Sequence, residues 1–178
     1  MNAGRNLVNL ALIGFMGTGK SSVGRLVADQ LHFEFLDTDH LIEARAGKTI
    51  NDIFAQNGEA TFRELEAGLV QELASRTRTV ISTGGGLPIN PENLNNLKQH
   101  ALVVCLWSSP EKILERVREQ SHRPLLQTPE PLVKIRSLLA QREPFYKQAD
   151  ILLNSEFRSI REVAQQVILQ FRLATSQK

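Results

Sequence analysis

The sequence predicts an α/β fold in which helices cover a parallel β-sheet. Two observations carry that expectation. Short apolar runs alternate with longer amphipathic segments along the chain, and several of those segments open on helix-capping signals.

Five runs read as strands: Leu7 to Ile13 with Asn9 as an interruption, then Phe33 to Leu36, Thr79 to Ser82, Leu102 to Trp107 and Ile151 to Leu153. Leu102 to Trp107 is continuous, partly β-branched and bounded by turn formers, as a strand buried on both faces requires. Cys105 lies inside it and reads as a buried strand residue. The first helix is expected over Lys20 to Leu31. Thr49 to Asp52 carries a cap for another, and Glu59 to Ala74 is helical by composition, with Gly68 in its middle. Ser108-Ser-Pro-Glu111 places a capping serine, a first-turn proline and an acid before Lys112 to Arg118. Ser159-Ile-Arg-Glu162 is a capping box opening a closing helix, with Ile160, Val163, Ala164, Val167, Ile168 and Phe171 along one face. From about Glu119 to Pro131 the rhythm breaks into polar residues and prolines around His122 and Arg123. A segment of that length inside a compact domain usually has a function, and a lid over a site is the expected one.

The 178 residues suit one domain at roughly 150 residues per domain. With 42% hydrophobic and 22% charged residues the chain lies far from the disordered regime, and a net charge of +2 is too small for a protein that coats nucleic acid or an anionic membrane. One cysteine forms no internal disulfide, and one cysteine with four histidines offers no structural zinc site. No apolar stretch reaches the roughly 18 to 20 residues of a membrane span, and the N-terminal run makes a poor signal peptide. A cytoplasmic protein is expected.

The first strand runs into Gly14-Phe-Met-Gly-Thr-Gly-Lys-Ser21, which satisfies GxxxxGK[ST] without a mismatch. A strand, a glycine-rich loop and a helix converge backbone N–H groups and a helix dipole on phosphates. Gly14, Gly17 and Gly19 allow the close approach, Lys20 reaches the β and γ phosphates, and Ser21 offers a hydroxyl to Mg²⁺. Thr18 and Ser22 are counted with the same nucleotide site. No Asn-Lys-x-Asp guanine reader occurs, so ATP is the expected nucleotide.

The second strand ends in Leu36-Asp-Thr-Asp39, at the sheet edge where α/β proteins bind ligands. In extended chain Asp37 and Asp39 would point the same way, one toward Mg²⁺ and one toward a substrate hydroxyl. Asp39 read alone fits the N-cap of a helix near His40 equally well. Arg63 and Glu66 are spaced for an ordinary surface pair. Thr83-Gly-Gly-Gly86 leaves a backbone without side chains beside a ligand, or a plain turn, and Arg142 alone reads as a solvated helix residue.

Taken together these motifs resemble shikimate kinase: the phosphate loop at 14–21, Asp-Thr-Asp at 37–39, Phe-Arg-x-x-Glu at 62–66, Gly-Gly-Gly at 84–86, Arg-Pro-Leu-Leu at 123–126 and Arg-x-Pro-x-Tyr at 142–146, in order over about residues 7–155. The resemblance implies a P-loop NTPase of nucleoside-monophosphate-kinase-like, three-layer form, with a five-stranded parallel sheet in order 2-3-1-4-5. It implies one kinase domain over 1–178, a lid at about 115–130 and shikimate-binding helices at about 39–75. The implied activity is ATP-dependent phosphorylation of the 3-hydroxyl of shikimate, on the route to chorismate and the aromatic amino acids. By the same resemblance, Lys20, Asp39 and Arg123 are catalytic, with Asp39 orienting or deprotonating the hydroxyl. Arg63 and Arg142 clamp the substrate carboxylate, Glu66 holds Arg63, and Gly84, Gly85 and Gly86 line the substrate. Ser21 and Asp37 lie in the Mg²⁺ shell, Arg123 reaches the phosphates from the lid, and Arg116 stacks on adenine or is a helix-surface residue. The expected partner is the small molecule alone, with a monomeric protein and neither nucleic acid nor membrane. Two readings compete: another small-molecule kinase of this fold, such as a gluconate or nucleotide kinase, and a catalytically silent regulatory relative.

Overall fold

The computed structural model describes residues 5–118 and 128–176. The elements run β1 Asn9–Ile13, α1 Lys20–Leu31, β2 Glu34–Asp37, α2 Thr38–Ala46, α3 Ile50–Leu73, β3 Thr79–Ser82, a 3-10 turn Leu87–Ile89, α4 Pro91–His100, β4 Ala101–Trp107, α5 Pro110–Val117, α6 Pro131–Tyr146, β5 Ile151–Asn154 and α7 Ile160–Thr175. The five strands form one parallel sheet in order β2-β3-β1-β4-β5, as expected.

Strand periodicity explains the layers. Successive side chains on β1 point to opposite faces, and both faces are covered. Leu10 and Leu12, with Val80, Leu102, Val104 and Leu106, pack under Val23 and Val27 of α1 and Val163, Val167 and Phe171 of α7. Ala11 and Ile13, with Ile81, Val103 and Cys105, pack under residues of α3, α4, α5 and α6. Cys105 is buried and its thiol is pushed up to about 12 by that burial, so it is an inert strand residue.

Several local expectations change. Asn9 begins β1: its Nδ2 donates to Arg76 O at 2.7 Å and its Oδ1 accepts from Thr79 N–H at 3.0 Å. The cap at Thr49 opens a helix that continues to Leu73, so the two expected segments form α3, broken only at Gly58 (φ 82°, ψ 170°). Helix α4 was not expected, and of α6 only the neighbourhood of Arg142 was read as helical. The first is announced by Asn90, whose side chain accepts from Glu92 N–H, and both start on a proline. Of the expected lid, residues 115–117 end α5 and the stretch that includes His122 and Arg123 lies outside the described residues. No described helix is long and apolar enough to cross a membrane.

His100 closes α4, and its Nδ1 faces Asn9 Nδ2 at 3.0 Å, which makes Nδ1 the acceptor in a neutral ring. Burial holds its pKa below the ordinary histidine value. The unfolded chain therefore binds the proton more readily, so this contribution is complete above the ordinary value and is lost as pH falls below it. Urea unfolding should show wild-type stability dropping between about pH 7 and about pH 5, and His100→Asn should flatten that drop. An unchanged slope would show that His100 does not titrate with folding.

Candidate active site

The loop from Gly14 to Gly19 joins β1 to α1 and is shaped by three left-handed glycines, Gly14 (φ 132°), Gly17 (φ 75°) and Gly19 (φ 95°). A Cβ on Gly14 would collide with Leu106 O, and one on Gly17 would lie 2.7 Å from Val117 Cγ1. Helix α1 starts without a capping side chain and without an acid in its first turn, leaving its N–H groups and positive dipole end to the loop. Lys20 Nζ donates to Gly14 O and Phe15 O, both at 2.9 Å, so the ammonium sits over the loop. The Thr18 hydroxyl bonds Phe15 O at 2.7 Å inside the loop, and Ser22 is exposed on α1.

Ser21 Oγ donates to Asp37 Oδ2 at 2.8 Å and lies 3.3 Å from Ser82 Oγ at the end of β3. Three oxygen-bearing side chains thus meet where the helix start faces the ends of β2 and β3. Among the described residues there is no group of three or more His, Cys, Asp or Glu placed to hold a metal ion.

The aspartates divide their work differently from the extended-chain expectation. The strand ends at Asp37, whose Oδ1 accepts from Asp39 N–H at 3.2 Å and caps α2; Asp39 is in the first helical turn. Asp37 is therefore the N-cap and Asp39 is not. The side chain of Asp39 reaches Gly84, where a Cβ would collide with its Oδ1 and approach Glu66 Oε1 to 3.2 Å.

The glycines after β3 collect the remaining groups. Gly84 N–H donates to the buried Thr38 Oγ1 at 2.9 Å. A Cβ on Gly86 would stand 2.5 Å from Arg63 Nη1, and one on Gly85 3.5 Å from both Arg142 Nη1 and Gly14 O. None of the three glycines has a left-handed φ, and Gly84 and Gly86 are required for space, whereas a Cβ on Gly85 would make ordinary contacts. Plain-turn and surface readings fail here. Glu66 is 1% exposed and accepts from Arg63 Nη1 at 2.6 Å. Burial raises its carboxyl above the ordinary range against the pull of Arg63, and its Oε1 is buried without a hydrogen-bond partner. Arg63 is held from its other side by Glu59, whose Oε1 accepts from Nε at 3.2 Å and Nη2 at 2.8 Å. Arg142 lies over the Phe15 ring at 5.4 Å and beside Gly85.

Arg116 is not a surface residue. Its guanidinium donates to Gly17 O at 3.3 Å, Ser108 Oγ at 3.2 Å and Ser155 O at 2.7 Å, and Ser155 Oγ donates to Thr18 O at 3.0 Å, tying the phosphate loop to the β5–α7 connection. Thr38, Glu59, Ser82 and Ser155 escaped sequence reading because a single hydroxyl or acid has no spacing signature; Thr38 and Ser82 sit inside or beside quoted motifs and were the findable ones.

Gly84→Ala tests the close approach. The atoms in the way are ends of flexible carboxylates, so the variant should fold with an unchanged Tm while kcat/KM for its acceptor falls about tenfold or more. Undiminished kinetics would show that the carboxylates need not touch this backbone.

The shikimate kinase family model matches residues 16–172. A shikimate kinase of Thermodesulfovibrio yellowstonii is 41% identical over 170 residues, covering 96% of this chain and 98% of its own. One of Caldanaerobacter subterraneus is 44% identical over 160 residues, covering 90% and 94%. The structure of shikimate kinase from Acinetobacter baumannii in complex with shikimate superposes with a TM-score of 0.89 at 41% identity, covering 99% and 98%. A gluconokinase from Sinorhizobium meliloti, with a TM-score of 0.62 at 18% identity over 97% of each chain, shares the fold.

Proposed function

The chain belongs to the shikimate kinase family, and from that premise we propose that it transfers the γ-phosphoryl group of ATP to the 3-hydroxyl of shikimate. The observation that carries this reading is the packing of Arg63, Asp39 and Glu66 against Gly84 to Gly86, with Arg142 at Gly85 and Gly85 itself beside Gly14 and Met16 of the phosphate loop. A small polyol with one carboxylate needs planar cations for the carboxylate and carboxylates for its hydroxyls, within reach of a phosphate site.

In this reading the phosphate-loop backbone and Lys20 hold the β and γ phosphates, and Arg123 adds positive charge from the lid as the transition state forms. Arg116 binds the nucleotide base. Arg63 and Arg142 take the substrate carboxylate, and a glycine N–H fixes the ring. Asp39 accepts a hydrogen bond from the 3-hydroxyl and takes its proton as the oxygen bonds to phosphorus and the bond to ADP breaks. Glu66 Oε1, buried and unpartnered, is suited to accept from a second hydroxyl.

Mg²⁺ fits the groups present. Ser21 would ligate it, and Asp37, already receiving the Ser21 hydroxyl and α2 N–H groups, would hold it through water. When bound, the ion neutralises charge on the β and γ phosphates. In this reading residues 1–178 act as one kinase domain, a monomer in the cytoplasm.

ADP release from Mg·ATP with shikimate, gluconate, AMP, CMP or no acceptor tests the reading. Turnover with shikimate alone is expected; turnover with gluconate or a nucleotide instead would overturn the acceptor assignment. Arg142→Ala should raise the shikimate KM about tenfold or more and leave the ATP KM near wild type; equal effects would remove it from the clamp. Asp39→Asn should lower kcat about a hundredfold or more with ATP binding intact. A wild-type rate would remove Asp39 from the chemistry.

A further inference from the structure

Tyr146 closes α6 one helical turn after Arg142 and is 1% exposed. Its hydroxyl donates to Gly85 O at 2.7 Å, a bond that joins α6 to the backbone after β3. From the preceding turn of the same helix Arg142 reaches over the face of Phe15, a residue of the phosphate loop, and lies beside the same Gly85. Across the trans peptide the Gly86 N–H lies opposite the Gly85 carbonyl, so turning the carbonyl toward α6 turns this N–H away from it. Arg63 packs over the same Gly86.

We infer that Tyr146 is a positioning residue of the acceptor site: its hydroxyl ties α6, the helix that carries Arg142, to the Gly85–Gly86 peptide and so sets the spacing between the carboxylate clamp and the backbone that borders the substrate. This rests on the shikimate kinase reading above. Burial pushes the phenol up to about 12, so the donated proton is present throughout the working range of the enzyme. A tyrosine that merely filled the core would be replaced by phenylalanine without kinetic consequence. One that positions Arg142 would not.

Tyr146→Phe keeps the ring and removes the bridge. The expected result is a shikimate KM raised about fivefold to tenfold, as loss of one hydrogen bond allows, with the ATP KM within about twofold of wild type. Both KM values unchanged, or both raised together, would overturn the inference whatever happens to Tm. In an Arg142→Ala background the same substitution should add nothing to the shikimate KM; a repeat of the full effect would mean that Tyr146 acts independently of Arg142. A third readout needs no substrate: backbone NMR should report a less ordered Gly85–Gly86 peptide in Tyr146→Phe, and equal order in both proteins would count against the inference. Were wild-type protein to turn over no shikimate, the family-based reading would fail, and the order of the Gly85–Gly86 peptide alone would decide the role of Tyr146.

Discussion

The acceptor end of the site depends on how closely Asp39, Glu66 and Arg63 approach a backbone that carries no side chains. Each of Gly84 and Gly86 occupies space that a Cβ would contest with a charged group. That approach buries the Glu66 carboxylate, which is costly in itself, and Arg63 Nη1 at 2.6 Å is what offsets the cost. The pair is more useful as a positioning device than as a source of stability. Removing the arginine would leave a buried charge unpaired, at a cost of about 3–5 kcal/mol, so Arg63 is fixed beside Gly86 by the same interaction that makes Glu66 tolerable. Glu59 closes the arrangement from the solvent side, where its bond to Arg63 is exposed and worth much less.

Sheet order brings this backbone to the phosphates. Because β3 lies between β2 and β1, the turn after β3 is flanked by the start of α2 on one side and by the phosphate loop on the other. Asp39 arrives from the first neighbour and Gly14 from the second. Parallel strands end on the same edge, so donor and acceptor groups converge there without long connections. The remaining arginine comes from α6, across the sheet order; Phe15 lies under its guanidinium, and Tyr146 ties its helix to the Gly85 carbonyl.

Much of this was legible in the residues. Apolar runs located all five strands to within a few positions because buried parallel strands must be continuous, and capping boxes at Thr49 and Ser159 marked true helix starts. The phosphate loop was readable because its spacing is dictated by phosphate geometry. What escaped was set by tertiary contact. Nothing in Asp-Thr-Asp says which aspartate caps the helix; the strand ends one residue late, at Asp37, and that decides it. The pair Arg63 and Glu66 has the spacing of a surface ion pair, and only packing against Gly84 shows it to be buried. Helix α6 lacks a sustained apolar stripe and holds Pro144, so its amphipathic signal is weak although Ile135, Leu139 and Tyr146 reach the core.

The central claim is that one glycine backbone orients a carboxylate between two arginines and a hydroxyl on Asp39. A crystal structure of the complex with shikimate and a non-hydrolysable ATP analogue tests it most directly. The account predicts the shikimate carboxylate within hydrogen-bond distance of Arg63 and Arg142, its 3-hydroxyl on Asp39, and a ring contact with an N–H of the Gly84 to Gly86 stretch. A ring bound the other way round, with its carboxylate away from both guanidiniums or its 3-hydroxyl away from Asp39, would contradict it.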